Sequence, residues 1–140
     1  MYTKKEATET AKETPSYQLR IKGNKADALY LKIIEKLTSQ KLYRDPKYNA
    51  KKLAADLGTN TRYIAAVVAQ HTNKNYSSLI NFFRLRDAKM MLRSKQHSKY
   101  TVEEIGMMAG YSSRQAFYLS FSKTTKMTPK EYREKYMKSE

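Results

Sequence analysis

The sequence predicts an all-α fold with two helix-turn-helix subdomains joined by a long linker helix, and with an additional N-terminal helix. Two observations support this prediction. Apolar residues recur every three or four positions along most of the chain, which is the period of one face of a helix. In addition, two segments that each place a glycine between short helical patterns repeat one another along the chain.

The N-terminal helix is predicted from about Ala26 to Lys41, and we expect it to pack within its own domain. The preceding residues 1–24 are rich in Lys, Thr and Glu and have no apolar period, which is typical of a flexible basic tail. Asp45-Pro46 breaks the chain after the helix. The predicted inward face contains Leu29, Ile33, Ile34 and Leu37.

The first subdomain begins with a short helix at about Asn49 that ends at Gly58, a residue suited to a left-handed helix end. The segment Thr59-Asn60-Thr61 offers a capping side chain for a second helix, which ends near Asn73. A linker helix of roughly 27 Å follows from about Ser77 to Ser94. The inward residues predicted for these three helices are Leu53, Ala54, Leu57, Ile64, Val67, Val68, Leu79, Ile80, Phe83, Ala88, Met91 and Leu92.

The second subdomain has the same layout. Thr101 and Glu104 match a capping box, Gly110 ends the first helix, and Ser112 or Ser113 caps the second. Thr128-Pro129 opens a last helix, since proline is favoured at the first helical position. The predicted inward residues are Val102, Ile105, Met108 or Ala109, Phe117, Phe121, Tyr132 and Tyr136.

The two subdomains form an internal repeat whose offset is 52 residues before the turn and 53 after it. The second turn is therefore one residue longer. We accordingly divide the chain into a tail (1–24), an N-terminal helix (25–42), a first subdomain with the linker helix (43–96) and a second subdomain (97–140). The matched pairs are Leu53 with Ile105, Gly58 with Gly110, Ile64 with Phe117, Val68 with Phe121, and Asn73 with Lys126.

Charge restricts the function classes. The 140 residues include 28 Lys and Arg against 13 Asp and Glu, a net charge of +15, so the expected partner is anionic, and nucleic acid is the commonest one. There is no cysteine, which excludes disulfides and thiol nucleophiles. The first residues lack the apolar core of a secretory signal and no apolar run has the length of a membrane span. We therefore expect a cytoplasmic protein without a membrane partner.

Catalytic and metal-binding patterns are not found in the sequence. His71 and His97 are isolated, so we interpret each as a surface or helix-end histidine. There is no glycine-rich phosphate loop and no nucleophile–base pair. The expectation is a protein that is not an enzyme and needs no cofactor or metal.

A helix-turn-helix unit projects its second helix into the DNA major groove, where base edges differ in their donors and acceptors. One such unit could be a plain helical hairpin, but two copies in a strongly basic chain favour DNA binding. An alternative is a basic RNA-binding or acidic-protein adaptor module, because the twelve tyrosines are interleaved with lysines and could stack on bases.

The segment EEIGMMAGYSSRQAFYLSFSKTTKMTPKEYR resembles the second-unit signature of AraC/XylS-type transcription regulators, and LAADLGTNTRYIAAVVAQHTNKNYSSLINFFRLRDAKMML resembles their first unit and linker. The resemblance covers about Tyr43 to Tyr136. It implies a seven-helix fold with two recognition helices in successive major grooves, about 34 Å apart. It also implies double-stranded DNA and RNA polymerase as partners. The short N-terminal tail cannot form a pocket for a small-molecule effector. We therefore expect a DNA-binding protein that acts alone or is regulated by a partner.

The resemblance also implies which residues face DNA. Arginine suits guanine and glutamine suits adenine. Leu119 stands where an arginine is frequent in the family, so a contact is expected to be lost there, and Lys126 stands where glycine is usual. The operator, the sign of regulation and the oligomeric state are left open by the sequence. Separately from the resemblance, we expect Lys123 to be a groove-flanking cation. The DNA-facing positions that the resemblance implies are Thr61, Arg62, Ala65 and Ala66 in the first unit, and Arg114, Gln115, Tyr118 and Leu119 in the second.

Overall fold

The computed structural model describes residues 23–137, in which all regular structure is helical. This confirms the all-α prediction. The predicted tail (1–24) lies outside the described residues except for Gly23 and Asn24, which begin the first helix. The described α-helices are α1 (Gly23–Ser39), α2 (Ala50–Asp56), α3 (Thr61–Thr72), α4 (Tyr76–Arg93), α5 (Val102–Ala109), α6 (Arg114–Thr125) and α7 (Pro129–Met137), with short 3₁₀ helices at Leu42–Arg44 and Lys95–His97.

The chain folds as two compact units. The first contains the described residues up to Leu42 together with Lys47–Ile80, and the second contains Tyr43–Pro46 together with the described residues from Asn81 onward. Helix α4 begins in the first unit and continues into the second. No helix among residues 23–137 is long and apolar enough to cross a membrane.

In the first unit, α1 and α2 both pack against α3. The buried face of α1 differs from the prediction, because Ala26 and Tyr30 are buried whereas Leu29 and Ile34 are only partly covered. Buried residues at i, i+4, i+7 and i+11 define a stripe slightly rotated from the predicted one, and a tyrosine completes it. The buried residues of α1 are Ala26, Tyr30, Ile33 and Leu37, and those of α2 and α3 include Leu53, Ala54, Ile64, Val67 and Val68.

His71 lies in the last turn of α3, as the helix-end interpretation expects, but it is buried at 8% exposure and is not a surface residue. Its ring stacks on Tyr30 with centroids 4.3 Å apart. Nδ1 lies 2.9 Å from the Val67 carbonyl oxygen and Nε2 lies 2.8 Å from Asp27 Oδ1. Both ring nitrogens thus have a partner, as a buried imidazole requires. His71 therefore joins α1 to α3.

In the second unit the predicted capping box is confirmed. The Thr101 hydroxyl accepts from the Glu104 amide at 3.0 Å, and the Glu104 carboxylate accepts from the Thr101 amide at 2.8 Å. Thr128 and Glu131 form a second capping box at the start of α7, which the sequence analysis missed. The core that these helices enclose consists of Leu85, Ala88, Met91, Leu92, Val102, Ile105, Ala109, Tyr111, Phe117, Phe121 and Tyr132.

The helix ends follow the repeat. Gly58 and Gly110 have left-handed φ values of +69° and +117°. A Cβ on Gly110 would also lie only 2.9 Å from Arg44 Cα, so the turn before α6 needs a glycine at this position. The residues that end α3 and α6, Asn73 and Lys126, are both left-handed, with φ of 56° and 63°. The matched positions therefore share their backbone conformation.

The segment before α2 contributes a buried polar group to the second unit. Tyr43 is 1% exposed, and its hydroxyl donates to Asp87 Oδ2, which also accepts from Arg44 Nε at 2.9 Å. Burial, and then the neighbouring Asp87, raise the pKa of Tyr43. Asp87 itself is 6% exposed, and its charge is compensated by Arg44 and by this hydroxyl.

Candidate nucleic-acid interface

Two phenylalanines fix the orientation of α6. Phe117 and Phe121 are 1% and 0% exposed, and their rings meet edge to face with centroids 5.6 Å apart. Ser113 caps the helix by accepting from the Ala116 amide at 3.1 Å, which satisfies an amide that no carbonyl in the helix can reach. With one face locked in the core, the opposite face of α6 points away from the unit.

Leu119 lies at the centre of this outward face. Successive helix residues are rotated by about 100°, which places Leu119 opposite the midpoint of Phe117 and Phe121. Leu119 is 74% exposed, and Gln115 and Lys123, one turn before and after it, are also exposed. A leucine cannot replace the charge of an arginine, but an apolar side chain in the major groove can contact the methyl group of thymine.

Arg114 and Tyr118 lie on the side of α6 where both contact Glu103 of α5. Arg114 Nε lies 3.3 Å from Glu103 Oε2, and the Tyr118 hydroxyl donates to the same oxygen at 2.9 Å. The guanidinium carbon of Arg114 also lies 4.2 Å from the centroid of the Tyr118 ring. Each of the three side chains thus contacts the other two. We call Glu103, Arg114 and Tyr118 the arginine cluster.

The arginine cluster favours the charged forms of its ion pair. The pKa of Glu103 is lowered, first by a backbone hydrogen bond at its own position and then by the Tyr118 hydroxyl. The hydrogen bond to Glu103 raises the pKa of Arg114. Burial, followed by the bond to Glu103, raises the pKa of Tyr118. At neutral pH the cluster therefore contains an anion, a cation and an uncharged phenol.

Arg114 and Tyr118 could be identified as candidate site residues from the sequence, whereas Glu103 could not. Glu103 and Arg114 are 11 residues apart and on different helices, so no helical spacing signals their contact. Leu119 was found, but as a lost contact rather than as the centre of the outward face. The spacing of the two phenylalanines is the signal that could have placed it there.

In the first unit, Thr61, Arg62 and Ala65 of α3 are all exposed. Ala66 is only 8% exposed, so little of its side chain is accessible on this helix. Tyr63 was missed and is 43% exposed. The accessible side of α3 therefore carries one cation, Arg62, beside a tyrosine.

A cleft of about 450 Å³ adjoins the arginine cluster. Arg133, which lines it, donates to the carbonyl oxygens of Tyr100 at 2.7 Å and His97 at 2.9 Å. Three cationic and two anionic residues face this cleft, so it has no strong preference for one sign of charge. Residues 23–137 also contain no group of three or more His, Asp or Glu side chains that could hold a metal ion. The cleft is lined by Val102, Glu103, Arg114, Tyr118, Lys130, Arg133 and Glu134.

The sequence matches the family model described as a helix-turn-helix domain over residues 53–135, more than half of the chain. This match confirms the resemblance carried by the two repeated units. It supports a role in DNA-binding transcription regulation. No curated protein matches the sequence significantly.

Solved structures with a similar fold include two domains of response regulators. A protein of unknown function from Listeria innocua has a TM-score of 0.66 and 23% identity, over 75% of this chain and 94% of that one. The C-terminal domain of the two-component response regulator yesN from Fusobacterium nucleatum has a TM-score of 0.63 and 23% identity, over 78% and 98%. The C-terminal domain of AraT, a response regulator from Geobacillus stearothermophilus, has a TM-score of 0.66 and 21% identity, over 75% and 86%.

Proposed function

Because the chain belongs to the AraC-type helix-turn-helix family, we propose that it binds double-stranded DNA in a sequence-specific manner and acts as a cytoplasmic bacterial transcription regulator. In this proposal α3 and α6 are recognition helices that enter successive major grooves, and RNA polymerase is a further partner. The observation that carries it is the outward face of α6, where Gln115, Leu119 and Lys123 are exposed while the opposite face is fixed in the core.

The two units contribute unequally to base recognition in this proposal. Arg114 and Gln115, at the exposed start of α6, are the side-chain types that form paired hydrogen bonds with guanine and adenine. Arg62 is the corresponding group on α3, and Ala65 beside it offers only an apolar contact. The second unit is therefore the main reader of sequence.

The adaptor alternative depends on stacking of exposed aromatic rings on unpaired bases. Several tyrosines are unsuited to it, because Tyr30, Tyr43, Tyr111 and Tyr132 are at most 7% exposed. Tyr63 is exposed, but it lies on α3, the helix that also carries Arg62, the proposed DNA-contacting residue. Duplex DNA is therefore the favoured ligand.

Selection of bound duplexes from a random pool at near-physiological salt tests the proposal. We expect two enriched boxes whose centres are about one helical turn apart, as two recognition helices require. A parallel measurement of single-stranded RNA binding at the same salt separates the adaptor alternative. Equal retention of RNA and of all duplexes, with no enriched sequence, would contradict the proposed function.

Single substitutions then test the division between base and phosphate contacts. We expect Arg114→Ala to lose about 1–3 kcal/mol of discrimination at one base pair, and Arg62→Ala to lose less, in the other box. If Arg114→Ala weakens specific and random duplexes equally, Arg114 contacts phosphate instead of a base.

Lys123→Ala should weaken binding to all sequences and reduce the slope of log affinity against log salt by about one, since a phosphate contact releases about one counterion. Lys32→Ala is the matched control, because it removes the same charge from an exposed position on α1, outside both recognition helices. An equal change of slope in both variants would indicate a general charge effect.

A further inference from the structure

Glu103 is an anion at a surface that is proposed to bind DNA, where an anion is unexpected. It lies on α5 beside Arg114 of α6, which is the predicted base-contacting residue. An exposed ion pair alone contributes little and would not hold a long side chain in one position. The Arg114 side chain is 63% exposed and the Glu103 side chain is 44% exposed, so their ion pair is of this weakly stabilising, exposed kind. Any role for Glu103 must therefore come from the whole cluster.

The cluster restrains Arg114 through two independent contacts. Glu103 Oε2 accepts from Arg114 Nε at 3.3 Å, while the Tyr118 ring lies against the guanidinium group, 4.2 Å from its central carbon. The Tyr118 hydroxyl also donates to Glu103 Oε2 at 2.9 Å, which restrains the carboxylate itself. One contact fixes an edge of the guanidinium and the other supports its face.

The atom that Glu103 contacts matters for recognition. Arginine binds guanine O6 and N7 through a fork of two N–H groups. Because Glu103 contacts Nε, the two terminal amino groups of Arg114 form the edge that remains for a base. A carboxylate at one of those amino groups would instead compete with guanine.

Resting on the proposed function, we propose that Glu103 and Tyr118 are positioning residues that orient Arg114 for paired hydrogen bonds to a guanine. Holding the fork in place before binding removes part of the entropy lost on complex formation. A phosphate accepts from a guanidinium over a wide range of approaches, whereas a guanine edge accepts from one direction. The cluster therefore favours the specific complex over the nonspecific one.

The test is the ratio of affinities for the selected duplex and for the same duplex with the guanine replaced. We expect Arg114→Ala to lower this ratio by roughly 5- to 150-fold. Glu103→Ala should lower it less, by about 2- to 12-fold, which corresponds to the entropy of immobilising one long side chain. Glu103→Gln retains an oxygen acceptor for Nε and the Tyr118 hydroxyl, so it should retain more of the ratio than Glu103→Ala. Tyr118→Phe keeps the ring and loses the hydroxyl, and its ratio should fall between wild type and Glu103→Ala.

Glu134→Gln is the matched electrostatic control. It removes one negative charge from the cleft that Glu103 also lines, and it should raise the affinity for all duplexes while the ratio stays unchanged. If Glu103→Ala behaves in the same way, Glu103 is only a repulsive charge and the proposal is overturned.

A double-substitution cycle gives the decisive outcome, because residues that act through one another are not additive. In an Arg114→Ala background, Glu103→Ala should leave the ratio unchanged. A further loss of the same size there would overturn the positioning role. If the wild type prefers no duplex over random DNA, the proposed function itself fails, whereas an unchanged ratio in a sequence-specific protein refutes only this inference.

Discussion

Gly106 gives a sharp test of core packing in the second unit, because two physical effects oppose each other at this position. Gly106 lies inside α5, and replacing a glycine with alanine in a helix interior ordinarily stabilises by about 0.5–1 kcal/mol. The structure predicts the opposite result for Gly106→Ala. A Cβ at this position would lie 2.7 Å from Phe117 Cγ and 3.0 Å from Cε2, well inside normal carbon–carbon contact.

The expected magnitude follows from how little Phe117 can move. Its ring is 1% exposed and is bounded by Tyr111 and Phe121, with centroids at 5.1 Å and 5.6 Å. Forcing an extra methyl group into a packed core costs about 1–3 kcal/mol. After subtraction of the gain in helix propensity, we expect Gly106→Ala to lower the free energy of unfolding by about 0–2.5 kcal/mol.

Urea denaturation followed by circular dichroism measures this change, and amide hydrogen exchange in α5 and α6 assigns it to the second unit. Phe117→Ala removes all three ring atoms that the new methyl group would meet, so the double variant should be about 1 kcal/mol more stable than the sum of the single effects predicts. Gly58→Ala serves as control: it is strained by its φ of +69° but has no atom within 4 Å, so Phe117→Ala should not rescue it. A Gly106→Ala protein more stable than wild type would refute the packing argument.

Three further substitutions test other parts of the structure. Lys126→Gly should stabilise by about 0.5–1 kcal/mol because φ is 63°, whereas Lys126→Ala should not; equal urea midpoints for the two would mean that left-handed strain is negligible. Asp87→Ala should lower the free energy of unfolding by about 3–5 kcal/mol. Asp87→Asn should lower it less, because asparagine can still accept the hydrogen bond from the Tyr43 hydroxyl. An Asn variant as unstable as the Ala variant would show that the charge of Asp87 matters and that this hydrogen bond does not. Phe117→Ala should cost about 3–5 kcal/mol, while Tyr118→Ala should cost little stability but weaken DNA binding; equal losses of melting temperature would contradict the assigned helix phase.

The helices and their ends could be predicted because their causes are local. The Thr101–Glu104 capping box, the serine cap at Ser113 and the glycine turns depend on residues within a few positions of each other. The repeat added a second, independent test of each boundary. The prediction of the buried face of α1 was partly wrong, and the cause is also local, because a tyrosine was not expected on the buried stripe where Tyr30 lies.

The polar contacts could not be predicted because their partners are far apart in the sequence. His71 and Asp27 are 44 residues apart, as are Tyr43 and Asp87, and each pair forms only once the helices have packed. Periodicity identifies which side of a helix is apolar, but it does not identify which polar residue on another helix lies opposite. The same limit applied to Glu103.

The repeat also shows that matched backbone positions need not be equally exposed. Ala66 and Leu119 occupy matched positions at the offset of 53, yet Ala66 is 8% exposed and Leu119 is 74% exposed. The backbone around them is alike, since Asn73 and Lys126 end their helices in the same left-handed conformation. In the proposed complex, Leu119 is therefore accessible to a groove, whereas Ala66 is not. Together with the arginine cluster on α6, this difference is the physical reason to expect that the second unit reads most of the sequence.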